Sequence, residues 1–130
     1  MSLFNIFGND SSKDNASSNM EWNKLEHIDQ IANMIIPQSW EIPILIFKHS
    51  TRCSISRFAL KQFEKEFDLQ GKVKPYFLDL LEHRDISNEI AHQFGVQHQS
   101  PQLIVIQNGV AVYDTSHDSI DASALKRFTI

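Results

Sequence analysis

The chain has 130 residues, 42% of them hydrophobic, which is enough for one substantial core and short of what two independent domains need. Its 12 Lys and Arg against 16 Asp and Glu leave a formal net charge of −4, and no basic run offers a footprint for a phosphate backbone, so nucleic acid is not expected as a partner. The longest apolar stretch, Ile42 to Phe47, carries Pro43 and is too short to cross a bilayer, so no membrane partner is expected either.

At the N-terminus, Met1 to Phe7 lacks the basic and long apolar regions of a secretory signal, and the chain has a single cysteine; both point to a cytoplasmic protein. Residues Gly8 to Asn19 are rich in Gly, Asn, Asp, Ser and Lys, a composition that cannot repay the entropy of ordering. The division that follows is a flexible leader over 1–20 and one domain over 21–130.

Trp22 is expected in a short edge strand, and Leu25, Ile28, Ile31, Ala32 and Ile35 recur at helical spacing until Pro37 ends the helix. Ile42 to Phe47 reads as a buried central strand. After the loop His49-Ser50-Thr51-Arg52, the positions Ser56, Leu60, Phe63 and Phe67 keep a 3.6-residue period, predicting a helix from about Cys53 to Gly71. Val73 to Leu80 predicts a third strand, and Ile86, Ile90 and Phe94 a helix closed by Gly95. Gln102 to Gln107 and Val110 to Asp114 flank Asn108-Gly109, the signal for a tight hairpin. A last helix carries Ala124, Leu125 and Phe128, capped by Ser119 or Asp121.

Strands linked by helices, then a hairpin and a closing helix, give an α/β fold: a central mixed sheet of four to five strands with helices on both faces, in the thioredoxin-like order. Reactive groups are then expected at the carboxyl ends of the parallel strands, where Cys53 falls. A cysteine in the first turn of a helix sits against unpaired backbone N–H groups and the positive end of the helix dipole, which favour thiolate over thiol. Arg52, Lys48 and Arg57 lie nearby in sequence and read as solvated charges. Ser56 stands where a C-x-x-C motif would place its second cysteine, so the site is monothiol. Ser100-Pro101, between a polar loop and a strand, matches the place where thioredoxin-like domains set a cis proline against the cysteine. His49 reads as a loop-packing residue rather than a base. His27, His83, His92 and His98 show no metal-ligand spacing, so no metal site is indicated.

The run Lys48-His49-Ser50-Thr51-Arg52-Cys53-Ser54-Ile55-Ser56 and the later Ser100-Pro101-Gln102 resemble the YtxJ-like monothiol bacilliredoxin family, from about Trp22 to the C-terminus. The resemblance implies that Cys53 is the catalytic nucleophile. It would remove bacillithiol, a small thiol built from cysteine, glucosamine and malate, or a similar low-molecular-weight thiol, from mixed disulfides on S-thiolated client proteins. No bound cofactor is implied; the small thiol is a co-substrate. The substrate-binding set is Thr51, Arg52, Ser54, Ser56, Ser100, Pro101, Ser116 and His117, with Ser116, His117 and the N-terminus of the last helix as donors to malate carboxylates. Ser54 departs from the proline of bacillus-type members. Tyr113 to His117 also resembles the family, in a loop that glutaredoxins use for glutathione, but the glutaredoxin Gly-Gly-x-Asp-Asp is absent. Two other readings stand beside this one: a monothiol glutaredoxin-like iron–sulfur carrier, whose Cys-Gly-Phe-Ser is missing, and a non-catalytic thioredoxin-like binding module.

Overall fold

A computed structural model describes residues 20–129. The leader expected over 1–20 lies outside the described residues except for Met20, which packs on the core. In chain order the elements are β1 (Asn23–Lys24), helix α1 (Ile31–Ile35 continuing into Ile36–Gln38), β2 (Ile44–His49), α2 (Ser54–Glu66), β3 (Lys74–Asp79), α3 (Arg84–Phe94), β4 (Gln102–Gln107) and β5 (Val110–Ser116). A 3-10 turn (His117–Ser119) and a 3-10 helix (Ala122–Phe128) follow.

One five-stranded sheet has the order β1-β3-β2-β4-β5. β3 runs parallel to both β1 and β2, whereas β4 is antiparallel to β2 and β5. Successive side chains of a strand point to opposite faces, and β2 is buried along its whole length, so it feeds two cores. On one face Ile44 and Ile46 pack with Ile31 and Ile35 of α1 and Ile86 and Ile90 of α3. On the other, Leu45 and Phe47 pack with Phe63 of α2 and Leu125 of the last 3-10 helix. Trp22 closes the second core, its ring edge-to-face with Phe47 and tilted against Phe63 and Phe77, and its indole N–H donating to Glu64 Oε2 at 2.7 Å.

Several boundaries differ from the sequence expectation, each for a physical reason. β2 runs two residues past Phe47 because backbone pairing continues through Lys48 and His49, whose polar side chains are buried and partnered. α2 stops at Glu66: Phe67 is already extended, so Phe67 and Leu69 reach the core from an irregular segment rather than a helix. Helix α1 is π-helical over Ile31–Ile35 and α-helical over Ile36–Gln38. Pro37 has no N–H to return to the preceding turn, and the backbone widens just before it. The closing element is 3-10 rather than α, with Asp121 as its cap, accepting the Ser123 N–H at 2.9 Å. The hairpin forms at Asn108 and Gly109, both at positive φ, as a tight primed turn requires. Gly95 closes α3 in the left-handed conformation.

Candidate active site

Past the apolar run of β2 the chain leaves the sheet through a short turn, closed by Cys53 N–H donating to Ser50 O at 3.1 Å, and enters α2 at once. Cys53 is the helix N-cap: its backbone is extended, and its carbonyl accepts the first helical hydrogen bond, from Arg57 N–H at 3.0 Å. No side-chain hydrogen bond caps the helix, so its first backbone N–H groups have no capping side chain. The thiol is free and partly exposed. Thr51, Arg52 and Ser54 are exposed around it, and Arg57 reaches back to donate to Thr51 O at 3.0 Å.

Ser56 is placed differently from its neighbours. It is wholly buried, and its Oγ accepts from Ser50 N–H at 3.0 Å and lies 2.8 Å from His49 Nδ1. Its role is therefore to pin the cysteine turn from below; a side chain with no exposed surface does not offer the substrate contact expected of it. His49 is buried as well, and burial lowers its pKa, the Asp79 carboxylate opposing and the Arg57 guanidinium reinforcing that effect. The imidazole is thus neutral near pH 7, and Ser56 Oγ donates to Nδ1 when the ring proton sits on Nε2.

Register carries the second half of the site to the same end of the sheet. Lys48 pairs with Gln102 across β2 and β4, and Gln102 with Ser116 across β4 and β5. The loop before β4 therefore lies beside the cysteine turn, and the start of the 3-10 turn lies beside that loop. The Ser100-Pro101 bond is cis, as anticipated. Pro101 is buried and its carbonyl accepts from His117 N–H at 3.1 Å. Ser100 Oγ is buried without a hydrogen-bond partner.

The proline loop is held from beneath by three buried polar side chains. Gln102 donates to Gln97 O at 2.9 Å and accepts from Gln99 N–H at 3.3 Å. Ser87 Oγ lies 3.1 Å and Lys48 Nζ 3.3 Å from His98 Nδ1, and Lys48 also donates to Ser87 O at 3.5 Å. Lys48 was expected in solvent; it is wholly buried, and desolvation lowers its pKa to about 8. His98 is also shifted down, by burial first and then by the positive charges of Lys48 and Arg84. Its Nδ1 is thus an acceptor for the ammonium.

Strand register brings Ser100, Pro101, Ser116 and His117 to the end of the sheet where the turn with Thr51, Arg52 and Ser54 carries Cys53, and Ser56 is turned inward. His117 is exposed at positive φ, with its backbone N–H committed to Pro101. The N-terminus of the last helix does not offer an anion site, because the Asp121 carboxylate already occupies it; those hydrogen bonds hold its pKa below the usual range. Among the described residues no group of His, Cys, Asp and Glu is placed to hold a metal ion, and no helix is long and apolar enough to cross a membrane. Sequence reasoning missed Lys48, Ser87, His98 and Gln102 as loop supports. The available signal was a strand whose polar residues continue directly into the cysteine and proline motifs.

Comparison with known proteins agrees with this geometry. A solved structure described as having a thioredoxin fold is 35% identical, with a TM-score of 0.68 over 80% of this chain and 89% of its own. Thioredoxin from Malassezia sympodialis (18% identity, TM-score 0.62, 86% of this chain and 90% of that one) shares the fold. So does mitochondrial thioredoxin 3 from Saccharomyces cerevisiae (15% identity, TM-score 0.61, 83% and 92%). Residues 23–125 match the family described as monothiol bacilliredoxin BrxC. With one cysteine at the head of α2 and a cis proline loop beside it, the chain belongs to the monothiol bacilliredoxin family, a thioredoxin-fold family of thiol redox proteins.

Proposed function

We propose that the protein is a monothiol thiol–disulfide oxidoreductase that strips a low-molecular-weight thiol of the bacillithiol type from mixed disulfides on client proteins. The observation that carries this reading is a partly exposed thiol at the head of α2 in a chain with no second cysteine to resolve it. A lone nucleophile of this kind completes a reaction when the partner it captures is small enough to be displaced by a second small thiol.

Cys53 thiolate attacks the small-thiol sulfur of the mixed disulfide; the protein–small-thiol bond breaks, and the client cysteine leaves as a thiolate that takes a proton from solvent. Cys53 now carries the small thiol. A second molecule of the small thiol, as thiolate, attacks that adduct, releases Cys53 and departs as the oxidised small-thiol dimer. The cis Ser100-Pro101 loop flanks the client chain, and Thr51, Arg52, Ser54, Ser116 and His117 surround the small thiol. The reaction takes place in the cytoplasm, where client thiols are otherwise reduced.

The test is a panel. A protein carrying bacillithiol, glutathione or coenzyme A on one cysteine is mixed with the enzyme or with Cys53→Ser and followed by intact mass. Removal of bacillithiol in preference to the others, by the parent chain and not by Cys53→Ser, supports the reading. Equal loss with both proteins, or no loss with either, contradicts it.

A further inference from the structure

We propose that the outward stripe of α2 is the docking surface for the client, and that it selects a segment both apolar and acidic around the modified cysteine. The inference rests on the thiol-transfer reading above and deepens it by naming the partner's chemistry. Ile55, Phe58, Lys61 and Lys65 are spaced three, three and four residues apart, so they form one row along the helix, beginning two residues after Cys53. Ile55 is 61% and Phe58 71% exposed, an unusual cost for an aromatic ring on a surface helix. Beside the row, His49, Arg57, Phe58, Leu60, Lys61 and Glu64 line a groove of about 460 Å³.

Charge decides the occupant. The chain as a whole is acidic, at −4, yet Arg52, Arg57, Lys61 and Lys65 are all exposed on and just before this helix. Two carboxylates share the helix, Glu64, which lines the groove and accepts from the Trp22 indole, and Glu66, which accepts from Gln62 at 2.7 Å, so the four cations outnumber them two to one. An apolar anchor in a local positive field complements a segment with apolar side chains beside Asp or Glu, and repels a basic one. Such a surface sorts clients without touching the transferred thiol.

Binding is measured with Cys53→Ser, which cannot react, against a synthetic peptide whose cysteine carries the small thiol and is flanked by Leu, Asp and Glu. A second peptide has Lys in place of the acids. The acidic peptide binds about tenfold or more tightly than the basic one at low salt, the gap narrows as salt rises, adding Lys61→Glu removes most of it, and adding Phe58→Ser weakens both peptides. Equal binding of the two peptides, a preference that survives Lys61→Glu, or affinity unchanged by Phe58→Ser overturns the inference. So does sedimentation showing self-association that Phe58→Ser abolishes, since the face would then belong to a second copy. Turnover by the parent chain of the small thiol's mixed disulfide with free cysteine is read alongside. Its absence speaks against thiol transfer and leaves the peptide preference as an independent result.

Discussion

Lys48 and His49 are neighbours in β2 that face opposite sides of the sheet, both buried, and each supports one of the two loops that make the site. On the α2 side, His49 meets a hydroxyl, and the Ser56–Ser50 bond ties the pair to the cysteine turn. Every hydrogen-bond partner there is neutral, so burial costs little once the hydrogen bonds form. On the α3 side, Lys48 brings an ammonium whose partners are one imidazole and one carbonyl. A charge so placed is under-compensated, and its lowered pKa records the cost. The cysteine turn is thus held by a stabilising pair, the proline loop by a group that weakens the fold in order to fix the loop.

Breaking the neutral side has the largest expected effect. Ser56→Ala leaves Ser50 N–H and His49 Nδ1 without their buried partner and costs about 2–3 kcal/mol. Denaturant melts should show a lower midpoint at an unchanged slope. A change near zero would mean that the hydroxyl does not hold the turn.

The charged side should respond with the opposite sign. Holding Lys48 at about 8 rather than 10.5 disfavours its charged form by about 3 kcal/mol, and losing its two hydrogen bonds returns about 1–2 kcal/mol. Lys48→Met is therefore expected to gain about 1–2 kcal/mol at neutral pH, while mixed-disulfide turnover falls because His98 is no longer anchored. The sign with pH follows from proton counting. Between about 8 and 10.5 the unfolded chain binds more protons at Lys48 than the native one, so the parent's stability at this group rises with pH and the variant's advantage shrinks. Melts of both proteins across that range check it; a constant difference would contradict the buried charge.

The smallest effect sharpens what the two sides share. His49 and His98 both have lowered pKa values, so as pH falls below 6.5 the unfolded chain takes up protons first and stability declines. Replacing His98 by Gln should flatten that acid slope in melts between pH 7 and lower values, while Ser87 Oγ keeps a polar neighbour.

Much of the fold was legible because its signals are local. Alternating and 3.6-residue apolar patterns located the sheet and helices, Gly95 and Asn108-Gly109 marked turns, and the position of Cys53 after a core strand followed from both. What escaped reading was buried polarity. Lys48, His49, Ser56 and Gln102 look like surface residues in a sequence, and only three-dimensional partners across 3 to 50 positions of chain reveal why they are inside. The π and 3-10 helices escaped for a related reason: their side-chain spacing differs little from α over so few residues.

Which sulfur Cys53 attacks is the most direct question. A single turnover of an S-thiolated client with the enzyme in slight excess, acid-quenched and weighed intact, separates the two possibilities. The expected spectrum shows the client restored to its thiol mass and the small thiol added to Cys53. A covalent enzyme–client species with the small thiol set free, or an unchanged client, would contradict the proposed transfer.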